Sequence, residues 1–214
     1  DVVYNPLRTK LISKALSLKI KAEGGLYMLV KQAVLASELF FNTEYESALT
    51  EKIHGTLLAQ KENIVLTGMP ASGKSTVGAL LAKTLNRPFY DTDEGIKQKC
   101  GMEIPDIFAK HGEEYFRSVE TAVIKELSAN SGCIIATGGG AAMRSANVEA
   151  LKQNGRIYFL DRPLEQLLPT SDRPLASSAE AIKARYNERY GTYIATADTV
   201  IKINGNAQSV ANDI

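Results

Sequence analysis

One glycine-rich segment, GMPASGKS at residues 68–75, constrains the fold of this chain more than any other feature. It follows a short β-branched run at residues 64–66 and precedes apolar residues at helical spacing, Val77, Leu81 and Leu85. The pattern G-x-x-x-x-G-K-[ST] between a strand and a helix is typical of a loop whose backbone N–H groups enclose phosphate oxygens. A glycine-rich turn that matches by chance is the alternative, and the flanking elements argue against it.

The sequence after residue 60 alternates short apolar runs with helical patterns. Further strands are predicted at residues 88–91, 133–137, 156–160 and 199–203, with helices between most of them. Five short apolar strands separated by helices indicate an α/β fold with a five-stranded parallel sheet flanked by helices. Because ligands of such sheets bind at the carboxyl ends of the strands, functional residues are expected directly after strands.

Two side chains of the glycine-rich segment have a definite expected chemistry. Lys74 is predicted to bridge the β- and γ-phosphates of ATP, and Ser75 to offer its hydroxyl to the Mg²⁺ that accompanies ATP. The residues of this segment that are predicted to bind the nucleotide are Gly68, Ala71, Ser72, Gly73, Lys74, Ser75 and Thr76.

Two carboxylates, Asp91 and Asp93, follow the second predicted strand. At this strand end Asp91 can hold a metal-bound water, and Asp93 can meet the hydroxyl of an acceptor. Asp91 and Ser75 are therefore the predicted metal-binding residues. The motif alone is weak, because acidic residues at a strand end are often solvated turn formers.

Three glycines, Gly138, Gly139 and Gly140, follow the third predicted strand. Without Cβ atoms they expose backbone N–H groups and permit close approach of a small ligand. Their position behind a buried strand favours a binding loop over a flexible turn.

Two arginines lie on predicted helices, Arg117 and Arg189. Arg117 precedes Glu120 by three residues, so this carboxylate can hold the guanidinium in one orientation. A solvated helix face is the alternative for Arg117. Arg189 lies on a helix with an apolar stripe that is more typical of core packing, formed by Ile182, Tyr186, Tyr190 and Tyr193. Both positions are explained if the two planar guanidinium groups bind one carboxylate of a substrate.

In this order and spacing, the strings GMPASGKST, FYDTDEGI, GEEYFRSVE, ATGGG and SDRPLASS resemble the shikimate kinase family over residues 61–214. The resemblance implies ATP and Mg²⁺ as cofactors and transfer of the γ-phosphate of ATP to the 3-hydroxyl of shikimate. It further implies that Asp93 contacts the shikimate hydroxyls, that Arg117 and Arg189 bind the carboxylate, and that the glycines at 138–140 close over the ring.

The resemblance also implies a role for Arg173, which matches the lid arginine of the family's R-P-L string. Arg173 is expected to contact the nucleotide and, with Asp93 and Lys74, to be catalytic. One departure concerns the base, because some family members carry an additional arginine upstream of R-P-L that stacks on adenine. This chain has LLPTSD at residues 167–172 instead.

The first 60 residues follow a different pattern, which predicts three amphipathic helices. The strings DVVYNPLRTKL and GGLYMLVKQAVLASELF resemble the carboxyl-terminal end of shikimate dehydrogenase, in which Tyr4 and Gln32 match residues near the substrate. The dinucleotide turn and the catalytic motifs of that family are missing, so no dehydrogenase activity is expected of this chain. We expect two units, residues 1–60 and 61–214, within a fused dehydrogenase-kinase polypeptide whose dehydrogenase portion is a partner of the kinase.

Composition narrows the choice of partners. Lys and Arg total 25 against 24 Asp and Glu, so no overall basic field favours nucleic acid or an anionic membrane. No apolar run approaches the length that spans a bilayer. The two separated cysteines, Cys100 and Cys133, fit a reducing compartment, and a cytoplasmic location is expected.

Two other functions remain open at this point. Another small-molecule kinase, such as a gluconate or nucleoside-monophosphate kinase, would carry the same phosphate-binding loop. A non-catalytic nucleotide-binding module is the second alternative. The presence of Asp93, Lys74 and Arg173 argues against that module.

Overall fold

The computed structural model describes residues 1–167 and 179–214. Three helices precede the first strand, namely α1 (Lys10–Ser17), α2 (Gly25–Phe41) and α3 (Ala48–Lys61). The elements that follow are β1 (Asn63–Thr67), α4 (Lys74–Leu85), β2 (Phe89–Asp91), α5 (Thr92–Cys100), α6 (Ile104–Ser128), β3 (Ile134–Ala136), α7 (Ser145–Asn154), β4 (Gly155–Asp161), α8 (Ala179–Thr196), β5 (Thr199–Lys202) and α9 (Ala207–Asn212).

The strands form one parallel sheet in the order β2-β3-β1-β4-β5. The predicted five-stranded parallel sheet with flanking helices is therefore confirmed. Because β1 is central, the loops after β2 and β3 lie on one side of the loop that follows β1, and the loop after β4 lies on its other side. All of these loops leave the same edge of the sheet, where ligands of parallel sheets bind.

Alternate residues of β1 supply the two faces of the core. Leu66 packs with Val77 of α4 on one face, and Val65 packs with Ile124 of α6 on the other. Side chains alternate between the faces of a strand, and a parallel sheet is covered on both faces. The helices therefore hold the central strand, and the loop after it, between two apolar layers.

Helix α6 is interrupted at Gly112, whose backbone angles (φ 79°, ψ 174°) are not helical. The part of α6 after this break carries Arg117 and Glu120. Phe116 and Val123 lie on its buried face, so the interruption sets the direction in which this half packs against the sheet.

The three predicted N-terminal helices are present, and part of the apolar face of the first two is exposed. In α1, Ile12 is buried while the predicted Leu11 is exposed; in α2, Val30 is buried while the predicted Leu29 and Phe40 are exposed. Even so, no helix in the described ranges has both the length and the apolar character that a membrane crossing requires. The three N-terminal helices were predicted from apolar positions at helical spacing: Leu7, Leu11, Ala15 and Leu18 in the first helix, Leu29, Ala33, Ala36 and Phe40 in the second, and Leu49, Ile53 and Leu57 in the third.

Arg8 joins the N-terminal segment to the sheet. Its guanidinium pairs with Glu62, which precedes β1. It also donates hydrogen bonds of 3.1 Å to the backbone carbonyls of Lys152 and Gly155, at the junction of α7 and β4. These contacts hold residues before α1 against the end of the sheet that is opposite to the phosphate-binding loop.

Candidate active site

The loop between β1 and α4 encloses the ammonium group of Lys74. This side chain is 5% exposed, and its Nζ donates hydrogen bonds to the carbonyl oxygens of Gly68 (3.0 Å) and Met69 (2.8 Å). Gly73 takes a positive φ of 93°, which residues with a Cβ rarely adopt, and α4 begins at the next residue. The loop thus combines a buried cation with the N-terminal N–H groups of a helix, and this pair of features binds phosphate.

The two predicted metal-binding residues are in direct contact. Ser75 Oγ donates a 2.6 Å hydrogen bond to Oδ2 of Asp91, and Oδ1 of Asp91 accepts the backbone N–H of Asp93 at 2.9 Å. Hydroxyl and carboxylate oxygens suit Mg²⁺, which takes few protein ligands. Within residues 1–167 and 179–214, no group of three or more His, Cys, Asp or Glu could hold a metal. The hydroxyl of Ser75 and the carboxylate of Asp91 fit a Mg²⁺ ion that would take its other oxygen ligands from water and phosphate.

Asp93 and Glu120 face the first glycine of the 138–140 loop. A Cβ on Gly138 would lie 2.7 Å from Oδ1 of Asp93 and 3.0 Å from Oε1 of Glu120. The N–H of Gly138 donates a 2.8 Å hydrogen bond to Oγ1 of Thr92. The loop is thus tied to the start of α5, and two carboxylates from different helices meet beside it.

Arg117 is held by two carboxylates of its own helix. Its Nη1 donates to Glu120 Oε2 at 2.9 Å, and its Nη2 donates to Glu113 Oε1 at 3.1 Å. The three-residue spacing predicted the Glu120 contact. Burial lowers the pKa of this guanidinium, but the charge of Glu120 and the hydrogen bonds outweigh burial, so the net pKa is raised. Arg117 therefore stays cationic in a fixed orientation.

Glu120 is fully buried, and its second oxygen, Oε1, lacks a hydrogen-bond partner among the described residues. Burial raises the pKa of this carboxyl group, and the charge of Arg117 opposes the rise only in part. A buried polar atom without a partner is costly. Oε1 lies beside Gly138, 3.0 Å from where a Cβ on that residue would stand.

The other two glycines of the loop are also in close contact with functional elements. A Cβ on Gly139 would lie 2.9 Å from Cδ of Pro70 in the phosphate-binding loop, and a Cβ on Gly140 would clash with Nη1 of Arg117. Side chains at these positions would push the neighbouring elements apart. The glycines therefore allow the phosphate-binding loop, Asp93 and Arg117 to meet around one small cleft.

Helix α8 closes the cleft with Arg189 and Tyr193. Nη1 of Arg189 donates a 3.2 Å hydrogen bond to the carbonyl of Gly139, and the hydroxyl of Tyr193 donates to the same oxygen. Arg189 is 7% exposed, and its Nε has no hydrogen-bond partner in the described part of the chain. Burial raises the pKa of Tyr193 to about 12, so its hydroxyl keeps the proton that it donates. Arg189 and Tyr193 thus both hold the middle glycine of the loop.

The structure brings Asp93, Arg117 and Arg189 together around the glycine loop at residues 138–140, next to Pro70 of the phosphate-binding loop. Arg173 lies outside the described residues. Sequence reasoning missed the hydroxyl contact of Tyr193, because an apolar stripe predicted core packing. That prediction is confirmed for its ring, which stacks on Phe159 at 5.0 Å. The four-residue spacing from Arg189 to Tyr193 was the available signal, since such residues share one helix face. The contact of Thr92 with the glycine loop carried no signal in the sequence.

Comparison with protein families gives one match over most of the chain. A family model described as shikimate kinase matches residues 70–214. A shikimate kinase from Clostridium beijerinckii is 39% identical over 158 residues, which cover 72% of this chain and 93% of that protein.

Two solved structures with a similar fold are also described as shikimate kinases. A shikimate kinase from Acinetobacter baumannii, in complex with shikimate, is 37% identical with a TM-score of 0.69, and the match covers 74% of this chain and 93% of that one. A shikimate kinase from Aquifex aeolicus is 38% identical with a TM-score of 0.63, over 71% of this chain and 92% of that one.

Proposed function

The chain belongs to the shikimate kinase family, and we propose that it transfers the γ-phosphate of ATP to the 3-hydroxyl of shikimate. The products are shikimate 3-phosphate and ADP, and the hydroxyl proton is released. The reaction belongs to the shikimate pathway of aromatic amino acid biosynthesis.

The observation that carries this proposal is the packing of the glycine loop at residues 138–140. Its three positions contact Asp93, Pro70 of the phosphate-binding loop and Arg117 in turn. An acceptor bound between Asp93 and the arginines would therefore lie next to the terminal phosphate of a bound nucleotide. Such proximity is a large part of the catalysis of phosphoryl transfer.

Asp93 is the proposed partner of the attacking hydroxyl. Its carboxylate lies at the start of α5, whose first turn is capped by Asp91. From this position it would orient the 3-hydroxyl toward the γ-phosphorus and accept the proton as the new P–O bond forms.

Arg117 and Arg189 are the proposed binding site for the substrate carboxylate. Arg117 is held by Glu120 and Glu113, and Arg189 is held by the carbonyl of Gly139. A carboxylate would give the unpartnered Nε of Arg189 an acceptor. An acceptor without a carboxylate would leave the buried charge of Arg189 without a carboxylate, and this would give the site its specificity.

Lys74 and Arg173 are the proposed cations on the phosphate side. Lys74 would exchange its contacts with loop carbonyls for the β- and γ-phosphates, and Arg173 would contribute positive charge as the phosphoryl group moves. Ser75 and Asp91 would hold Mg²⁺ directly or through water. The ion, when bound, neutralises phosphate charge.

A coupled assay of ADP release with Mg-ATP and shikimate tests the proposal. We expect shikimate-dependent turnover that is lost in Asp93→Ala and in Arg117→Ala. Asp213→Ala removes an exposed carboxylate outside the cleft and is the matched control, expected to retain full turnover. Turnover with gluconate or a nucleoside monophosphate in place of shikimate would contradict the proposed acceptor. If the chain binds nucleotide but phosphorylates neither shikimate, gluconate nor a nucleoside monophosphate, the result would favour a non-catalytic nucleotide-binding module.

For residues 1–60, we propose an origin in the carboxyl-terminal end of a shikimate dehydrogenase, fused to the kinase unit at residues 61–214. Most of the large apolar side chains that are exposed in the described ranges lie in this segment, for example Leu39, Phe40 and Phe41. Exposed apolar clusters mark surfaces that a partner covers. The dehydrogenase portion of the same polypeptide is the proposed partner.

The encoding reading frame and the mass of the natural polypeptide test this fusion. We expect upstream coding sequence with a dinucleotide-binding turn, and NADP-dependent oxidation of shikimate by the natural polypeptide but not by residues 1–214. A reading frame that starts immediately before Asp1 would contradict it.

A further inference from the structure

Thr92 lies between Asp91 and Asp93 and contacts the glycine loop at residues 138–140. It is fully buried, and its Oγ1 accepts a 2.8 Å hydrogen bond from the backbone N–H of Gly138. The N–H of the first glycine is therefore bonded to the protein rather than offered to a ligand. Gly138 serves the cleft through its missing Cβ, and Thr92 determines where the backbone of Gly138 stands.

Side chains of two helices hold this loop. The first glycine is held by Thr92 at the start of α5, and the carbonyl oxygen of the second, Gly139, accepts hydrogen bonds from Arg189 and Tyr193 of α8. All three bonds are buried, and a hydrogen bond is electrostatically stronger there than in water. Of the three side chains, Thr92 is the one that is adjacent in sequence to Asp93. It therefore ties the loop to the acceptor side of the cleft.

Thr92 also belongs to a closed ring of contacts between the phosphate side and the acceptor side of the cleft. The preceding residue, Asp91, accepts the hydrogen bond of Ser75 in the first turn of α4. The middle glycine, Gly139, approaches Pro70 so closely that a Cβ would lie 2.9 Å from Cδ of that proline. The ring thus runs from the phosphate-binding loop through Asp91, Thr92 and the glycine loop back to the phosphate-binding loop.

We propose that Thr92 is a positioning residue for the phosphoryl transfer, and that its bond to Gly138 fixes the distance between the acceptor hydroxyl and the transferred phosphoryl group. Asp93, the proposed partner of that hydroxyl, is the next residue, and a Cβ on Gly138 would lie 2.7 Å from its Oδ1. Without the bond, Gly138 would be free to move relative to Asp93. A misplacement of about 1 Å can cost roughly 100-fold in rate. The inference rests on the proposed function, because it requires an acceptor bound at Asp93.

Steady-state kinetics of Thr92→Val and Thr92→Ser, with calorimetric titration of Mg-ADP, test this role. Valine has nearly the shape of threonine but cannot accept a hydrogen bond, whereas serine keeps the hydroxyl. In Thr92→Val we expect kcat to fall at least roughly tenfold, while KM for shikimate and Kd for Mg-ADP change less than about twofold. Thr92→Ser is expected to keep most of kcat. If Thr92 only fills space, this ranking reverses, because valine fills the site and serine does not.

Thr50→Val is the matched control, because Thr50 is a similarly buried threonine in α3. It is expected to keep the wild-type kcat. A kcat of Thr92→Val equal to that of Thr50→Val would overturn the proposal, and so would a loss that serine does not restore. An equal fall in the affinity for Mg-ADP would also overturn it, since Thr92 would then maintain the phosphate-binding loop itself.

Hydrogen exchange of the Gly138 amide, followed by NMR, tests the bond without any turnover. We expect this exchange to be roughly tenfold faster in Thr92→Val than in the wild type and Thr92→Ser. Unchanged exchange would overturn the proposal. If Thr92→Val does not fold, Thr92→Cys replaces it, because a thiol is only a weak acceptor. A wild type that does not phosphorylate shikimate would overturn the proposed function and with it this inference, whereas wild-type turnover that Thr92→Val retains overturns the inference alone.

Discussion

Ser75 Oγ donates a 2.6 Å hydrogen bond to Oδ2 of Asp91, which links the first turn of α4 to the end of β2. The two residues are 16 positions apart and belong to different strand-to-helix connections. The phosphate-binding loop and the acceptor side of the cleft therefore share one candidate metal position.

Ser75→Ala is expected to raise the Mg²⁺ concentration needed for half-maximal turnover and to lower kcat/KM for Mg-ATP at least tenfold, or ~1.4 kcal/mol. The reason is that the variant removes one of two protein oxygens near the ion. Titration of activity with Mg²⁺ at fixed ATP measures the change. Ser75→Thr keeps a hydroxyl and is expected to retain most of the activity. An unchanged Mg²⁺ dependence in Ser75→Ala would show that this hydroxyl does not serve the metal.

Gly140→Ala is expected to displace Arg117, because the added Cβ would clash with the guanidinium. A shift of this size in a positioning residue costs about 100-fold in kcat/KM for shikimate. Steady-state kinetics with both substrates should place the loss on shikimate rather than on ATP. Gly55→Ala, in α3, is the control, because its Cβ would meet nothing within 4 Å. It should gain up to about 1 kcal/mol of stability with unchanged kinetics. If Gly140→Ala and Gly55→Ala have the same kinetics, the Arg117 guanidinium does not lie close to Gly140.

Glu120→Gln is expected to change how stability depends on pH. The folded pKa of Glu120 is raised above its ordinary value of 4.5, so the folded state binds the proton more tightly than the unfolded state. The resulting stabilisation is complete below the ordinary value and is lost as pH rises through the folded pKa. Gln does not titrate, so the wild type should lose stability relative to Glu120→Gln as pH rises above 4.5.

Urea unfolding of both proteins across this pH range measures the difference in the free energy of unfolding. Glu126→Gln, at an exposed position of the same helix, is the control that should parallel the wild type. If the free energy of unfolding of Glu120→Gln follows that of the wild type at every pH, the pKa of Glu120 is not raised.

Arg189→Lys is expected to weaken shikimate binding while leaving ATP binding intact. Lysine keeps the charge but lacks the planar fork that bonds to the Gly139 carbonyl and could also make a paired contact with a carboxylate. We expect KM for shikimate to rise roughly tenfold or more, the cost of a lost charge-assisted hydrogen bond. The analogue that carries a hydroxymethyl group in place of the carboxylate should bind both proteins equally weakly. If Arg189→Lys weakens binding of the analogue more than it weakens binding of shikimate, Arg189 does not bind the carboxylate.

Arg8→Ala is expected to lower the free energy of unfolding by ~1–3 kcal/mol, because the variant loses an ion pair and two hydrogen bonds to carbonyl groups. It also leaves Glu62, whose side chain is 16% exposed, with the more distant Arg156 at 3.4 Å. Chemical denaturation measures the change, with the exposed Lys10→Ala as the control. Equal stability of the two variants would mean that the N-terminal segment does not stabilise the kinase unit.

Much of the fold was predictable because its signals are local. The strand-loop-helix arrangement around GMPASGKS and the β-branched runs at 64–66 and 156–160 depend on neighbouring residues alone, and the structure confirms these strands. The pairing of Arg117 with Glu120 is equally local, since three residues separate them on one helix. The roles of Asp93 and Arg173 in catalysis stay predictions.

The sequence by itself thus determined the parallel sheet, the position of its phosphate-binding loop and the residue types around it, because periodicity and short motifs act over a few residues. Only the tertiary structure decided that Tyr193 bonds to Gly139, that Arg162 lies beside Gly73, and which faces of α1 and α2 are buried. These contacts join residues that are far apart in the chain or depend on what covers a helix. They follow from how whole elements pack, which no local pattern encodes.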